Sequence, residues 1–255
     1  MVNLSSLLPA VLVRTLVVLL LLAFHLPAAG QAPAWQSARA VAVATAAVSG
    51  NYSIVKATAV DAAGNVYLTG DFQNTVVLGG TTLTSLGITD VFIAKFNPFS
   101  NQFIWAQRAG GTGRDICSAL VVSGTSMYVA GSFSSPTASF GTTMLTNAGT
   151  GSTAGTFDVF VAKLTDAGPT GSFVWAQQVG GADLDVANGL AVSGVSIYVS
   201  GDFGSRTAAF GASTLTNAGF STRSWPSSRT LVAPAVSCGR NGPVAQVTTM
   251  PTRWP

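Results

Sequence analysis

The chain has 255 residues, 48% of them hydrophobic and only 8% charged, and it holds no Glu, so all nine acids are Asp. The net charge of +3 divides by position: +1 from Arg14 in residues 1–30, −2 over residues 31–222 (seven Lys and Arg against nine Asp), and +4 from Arg223, Arg229, Arg240 and Arg253. The basic balance therefore describes a tail and argues against a nucleic-acid-binding face, while a single histidine, His25 in the N-terminal apolar segment, excludes a His-based triad or a His-ligated metal in a processed chain.

Residues 1–30 read as a secretory signal peptide: Arg14 is the positive flank, Leu16 to Phe24 the apolar core, and Ala28-Ala29-Gly30 a small-residue cleavage site before Gln31. An uncleaved anchor is the competing reading, but a span needs ~20 apolar residues, and Pro9 and Pro27 interrupt the stretch. Export is expected, with no membrane span after cleavage. The two cysteines, Cys117 and Cys238, lie 238 − 117 = 121 residues apart and form neither a metal-ligand spacing nor a disulfide framework. Cys117 aligns with Ala187 in the repeats described next and is expected as a small core residue.

From Trp35 onward one pattern recurs. Its anchor is an apolar strand ending in Gly-x-Phe: Tyr67 with Gly70 and Phe72, Tyr128 with Gly131 and Phe133, Tyr198 with Gly201 and Phe203, at tyrosine steps of 61 and 70 residues. A tight turn bearing Gly with Asn or Ser precedes each anchor, the composition a hairpin requires. A small-residue segment ending near Gly80, Gly141 or Gly211 follows and is expected as an added hairpin or loop at the edge of the sheet. Next comes the longest repeated stretch, Thr89 to Gly111 and again Thr156 to Gly181, with two apolar runs around a polar turn and a tryptophan, Trp105 or Trp175, in the second run. Trp35 aligns with Trp105 as a lone final strand.

Four principal strands in about 60 to 70 residues predict an all-β chain, a partial β-propeller of about two and a half blades of antiparallel four-stranded sheets with inserted hairpins. The expected organisation is a signal peptide at 1–30, an incomplete propeller at 31–222 with blades at about 55–111, 115–181 and 187–222, and a tail at 223–255. Closed propellers take ~4 to 8 blades, so this ring is not expected to close.

The third unit stops after Thr222, where a further copy of the Asp158 to Leu164 strand is due. Codons for Ser224 to Leu231 can be chosen so that, read from the last base of Arg223, they encode Phe-Val-Ala-Lys-Leu-Thr-Asp-Ala, the sequence of Phe160 to Ala167. The same frame continues through Ala245 into a copy of Ser172 to Gln177. Residues 223–255 are accordingly read as an out-of-frame tail expected to lack a fold, in which Cys238, Trp225 and Trp254 carry no designed chemistry.

Trp105 and Trp175 could stack on sugars, but identical placement in two strands favours packing between blades. Asp71 and Asp202 follow equivalent glycines and could face a channel or a cation, although Ser132 breaks the series. Asp90, Asp115, Asp158, Asp183 and Asp185 are expected to bond backbone amides at turns. No carboxylate pair recurring in register is evident from the spacing. Asp183 to Asp185 is too short for a calcium loop, and no hydrolase, zinc-protease or phosphate-loop motif occurs.

The elements Asp61 to Phe72, Asp158 to Leu164 and Phe173 to Gly181 resemble the bacterial secreted β-propeller repeat known as the SBBP repeat. The resemblance covers about residues 35–222 and implies an exported or cell-surface protein, in its relatives often carrying a C-terminal sorting domain. The expected role is non-catalytic binding or scaffolding, with an extracellular glycan or protein as partner class and neither cofactor nor metal. Two alternatives stand beside it: a polysaccharide-active enzyme of propeller fold, and a functionless product of a frameshifted gene. The residues singled out are structural repeat positions: Tyr67, Gly70, Phe72, Trp105, Tyr128, Gly131, Phe133, Trp175, Tyr198, Gly201 and Phe203.

Overall fold

In the computed structural model, residues 52–149, 156–211, 213–216, 230–233, 236–239 and 242–245 are described, the last three segments by their backbone alone. Residues 1–30, expected as a signal peptide, the strand expected at Trp35 and most of residues 223–255 lie outside them. The described residues are all-β, and every pairing between named strands is antiparallel. None of their helices is long and apolar enough to cross a membrane.

The repeat pattern becomes a repeated set of strands. The first unit has β1 (Tyr52–Val60), β2 (Val66–Gln73), a short hairpin of β3 (Thr75–Leu78) and β4 (Thr81–Thr84), then β5 (Asp90–Asn97) and β6 (Gln102–Gly111). In the second unit the same places are taken by β7 (Asp115–Ser123), β8 (Ser126–Phe133), β9 (Thr137–Phe140), β10 (Thr143–Thr146), β11 (Asp158–Asp166) and β12 (Gly171–Gly181). The third begins with β13 (Asp185–Ser193), β14 (Ser196–Phe203), β15 (Thr207–Phe210) and β16 (Ser213–Thr216). Three short strands follow, β17 (Thr230–Ala233), β18 (Val236–Gly239) and β19 (Gly242–Ala245).

The short hairpin does not extend the sheet of its own unit. Strands β9 and β10 continue the first unit's sheet, in the order β1-β2-β5-β6-β9-β10, and β15 and β16 continue the second unit's sheet in the same way. Paired glycines permit this. A Cβ on Gly111 or Gly181 would run into the carbonyl of Thr137 or Thr207, so only a glycine lets the added hairpin approach the fourth strand. Consecutive units are thus joined through the backbone, although no sheet closes on itself among the described residues.

Side-chain burial explains the continuous apolar runs. Along β5, Val91 and Ile93 enter the core shared with the second unit, while Phe92 and Ala94 enter a cluster with Val76 and Leu78 of the β3–β4 hairpin. Along β11, Phe160, Ala162 and Leu164 face back into the first of these cores, and Val159 and Val161 face forward to Ala187 and Ile197 of the third unit. Strands buried on both faces lose the alternation of a half-exposed strand. Each fully buried Phe among Phe72, Phe92, Phe133, Phe140 and Phe160 stabilises by roughly 1.5–3 kcal/mol.

In the third unit β17 lies beside β14, pairing Thr230 with Asp202 and Leu231 with Gly201. In the second unit, Val159 and Phe160 of β11 hold the corresponding places opposite Ser132 and Gly131. Strand β17 has four residues where β11 has nine.

Candidate functional site

The repeat positions assemble at the seams between units. At each first strand a bulge is pinned by the glycine of the Gly-x-Phe motif: between Val55 and Ala57 opposite Gly70, between Cys117 and Ala119 opposite Gly131, and between Ala187 and Gly189 opposite Gly201. A Cβ on Gly131 would overlap the Ile116 carbonyl and lie 2.7 Å from the Phe160 ring, so close strand contact requires that glycine. Phe72 and Phe133 are fully buried, whereas Tyr198 and Phe203 of the third unit are only half-buried.

The residue after each glycine reaches into the next unit. Asp71 accepts a hydrogen bond from Cys117 N at 2.6 Å, and Ser132 Oγ accepts one from Ala187 N at 3.0 Å. Serine and aspartate therefore serve one purpose at this position. Asp71 is buried and also pairs with Lys56 at 3.6 Å, which corrects the expectation that it might face a channel or a cation. The third member, Asp202, accepts instead from Asn188 Nδ2 within its own unit, at 3.0 Å. Cys117 is a free, buried thiol in the core, its pKa pushed up to about 12 by burial.

A second link is a buried ion pair. Lys95 Nζ lies 2.6 Å from Asp166 Oδ2, and both side chains are about nine-tenths buried, at 9% and 10% exposure. Trp105 Nε1 and Gly168 N donate to Asp166 Oδ1 at 3.0 Å each, and Tyr67 Oη lies 2.6 Å from Oδ2. Gln107 Nε2 adds a bond to the Gly171 carbonyl at 2.8 Å. Tyr67, Lys95 and Trp105 stand directly opposite one another on β2, β5 and β6, while Asp166 is the last residue of β11, paired with Gly171 where the hairpin turn begins. Bonds from Lys95, Tyr67 and Trp105 hold the Asp166 carboxyl below the usual range despite its burial, and its charge helps push the Tyr67 phenol far up. Trp105 is thus a packing residue with a buried indole N–H satisfied across the seam.

A third feature escaped the sequence reading: buried carboxylates do recur in pairs. Asp90 and Asp115 flank Gly110, and Asp158 and Asp185 flank Gly180. The spacings, 115 − 90 = 25 and 185 − 158 = 27 residues, are the signal that could have found them, but only pairing across units brings the carboxyls together. Each is used structurally. Asp115 accepts from Gly111 N, Ser135 N and Ser135 Oγ; Asp185 accepts from Gly181 N, Gly204 N, Ser205 N and Ser205 Oγ. Asp158 accepts from Ala148 N and Gln178 Nε2, and Asp90 from Leu86 N with Arg108 beside it. All four are at most 1% exposed. Asp183 differs from the rest, its own amide donating to Ser205 Oγ. Among the described residues no cluster of three or more His, Cys, Asp or Glu is placed to hold a metal.

Burial pushes the Asp115 and Asp158 carboxyls up to about 6, and Asp71, Asp90 and Asp185 are raised for the same reason. A carboxyl with a raised folded-state pKa binds its proton more tightly folded than unfolded, so stability falls as pH rises from about 4 to 6 and is level above. The lowered Asp61 and Asp166 act in the opposite sense, their contribution being lost below about pH 4. Melting temperature is therefore expected to peak near pH 4 to 5, and Asp158→Asn to flatten the fall above the peak. Thermal melts from pH 3.5 to 8 test this; a melting temperature rising steadily from pH 4 to 7 contradicts it.

Among the described residues an open depression of about 340 Å³ is lined by Val60, Asp61, Ala62, Ala63, Val122 and Gly124, at the turns that open the first two units. No protein-family model matches the chain, and no curated protein matches it.

Proposed function

We propose that this is a non-catalytic, secreted or cell-surface repeat protein of bacterial β-propeller type, akin to the SBBP repeat, with a binding or scaffold role. On this reading the repeat makes up about two and a half blades. The observation that carries the reading is the twice-repeated seam: the same side-chain position bonds the same backbone amide of the next unit, through Asp71 to Cys117 and through Ser132 to Ala187. Such a seam propagates an array. The enzyme alternative loses ground because the paired carboxylates are buried and bonded to backbone amides, with no approach for a sugar. A second reading, the product of a frameshifted gene, rests on the hidden repeat after Arg223; resequencing the locus decides it, since an uninterrupted frame encoding the missing strand shows the tail to be an error.

Purified protein applied to a glycan array and an extracellular-protein panel is expected to retain ligand without turnover. Hydrolysis of a polysaccharide by the same preparation overturns the binding assignment, and failure to retain any member of either panel counts against it.

A further inference from the structure

The second unit carries a duplicate of the triad that grips Asp166. Tyr128, Lys163 and Trp175 stand directly opposite one another on β8, β11 and β12, as Tyr67, Lys95 and Trp105 do on β2, β5 and β6. The geometry repeats closely. The Tyr–Trp ring centroids are 6.4 Å apart at 56° in the second unit and 6.1 Å apart at 54° in the first. Lys163 Nζ lies 5.6 Å from the Tyr128 ring centre, against 5.7 Å for Lys95 and Tyr67.

The two triads differ in their partners. Among the described residues Trp175 Nε1 is buried without a hydrogen-bond partner, whereas Trp105 Nε1 donates to Asp166. Among the described residues Lys163 has no ion pair, while Lys95 has Asp166. Beside Tyr67 stands a second acid, Asp61, at 3.1 Å; the corresponding turn of the second unit holds Ser123, Gly124 and Thr125, so less negative charge faces the second triad. Residues 203–255 contain no Asp or Glu at all.

We propose that Lys163, Tyr128 and Trp175 form a carboxylate-binding socket, and that its ligand is an aspartate ending the first strand of a β-hairpin of another repeat-bearing chain, in the manner of Asp166. One ammonium, one indole N–H and one phenol O–H converge on a carboxylate in the first unit. The same three donors, in the same arrangement, await one in the second. A buried N–H left without a partner is destabilising, and this penalty is removed when the indole donates to an arriving carboxylate. The inference narrows the proposed binding role to a ligand chemistry, yet it stands on the duplicated geometry and fails or holds independently of any glycan result.

The test uses the full chain and a synthetic peptide copying residues 162–172, which contains the equivalent of Asp166. Indole N–H resonances are followed by NMR, with Trp175 identified by Trp175→Phe and Trp105 serving as the internal measure of folding. Titration is expected to shift the Trp175 resonance saturably and leave Trp105 in place. The same peptide with Asn for Asp should bind at least about tenfold more weakly, as loss of a charge-assisted bond predicts. Lys163→Met should weaken the Asp peptide to a similar degree and Lys163→Arg should recover most of it. Equal binding of the two peptides, indifference to Lys163→Met in a chain whose Trp105 resonance is unchanged, or absence of a saturable Trp175 shift overturns the proposal.

Discussion

Lys95→Met is expected to destabilise the folded chain by about 3–5 kcal/mol, the range for breaking a buried ion pair from one side. The Lys95 ammonium and the Asp166 carboxylate are both about nine-tenths buried, and the variant leaves that carboxylate with only neutral donors. The double variant Lys95→Met, Asp166→Leu should recover part of the loss, because no uncompensated charge is then buried. Lys163→Met, at the equivalent position with no ion pair among the described residues, should cost far less. Urea unfolding of the four proteins measures this. Similar losses for Lys95→Met and Lys163→Met would show that the lysine stem, not the ion pair, holds the seam. The sign with pH follows from the lowered Asp166 pKa: its contribution is present above about pH 4 and lost as the pH falls through its folded value.

Replacing residues 223–255 with a copy of residues 158–181 should raise the melting temperature by about 10 °C and sharpen the transition, the size expected when several kcal/mol are added to a domain of this length. The chain as it stands offers β14 only the four residues of β17 as a third strand. The consequence is visible in burial: Val199, Ser200 and Asp202 are half-buried, where Val129, Ala130 and Ser132 of the second unit are buried. The graft supplies full-length third and fourth strands, and with them an aspartate for Lys163. A graft bearing Asn in place of that aspartate should gain less. At the opposite end Ile54 and Val55 of β1 stay 47% and 40% exposed, although the equivalent of Val55 in the second unit, Cys117, is 3% exposed. Self-association through this face is therefore expected in both proteins, stronger in the unmodified chain, and sedimentation velocity checks it. Identical melting curves for graft and parent would show that the third unit gains nothing from completion.

Much of this architecture was legible as repetition. Strand pairs, tight turns and the buried anchors Tyr67, Phe72, Tyr128 and Phe133 follow from apolar runs punctuated by Gly, Asn and Ser, because local spacing carries that information. Trp105, in the repeated stretch Thr89 to Gly111, packs in the core with its indole N–H satisfied inside the protein. The carboxylate pairs were not legible. Asp90 and Asp115 belong to different units, and nothing within 25 residues of chain says that their side chains meet across Gly110.

By itself, the amino-acid sequence determined the all-β class, the repeat and the residues each unit reuses, since these depend on spacing along one strand or across one turn. Only the tertiary structure decided which unit receives each short hairpin, that Asp71 and Ser132 bond an amide of the next unit, and that Asp166 fills one Tyr–Lys–Trp triad while its duplicate has no such partner among the described residues. Those outcomes are contacts between residues far apart in the chain, and the physical reason is that a hydrogen bond or ion pair is specified by where two strands stack, which no local pattern records.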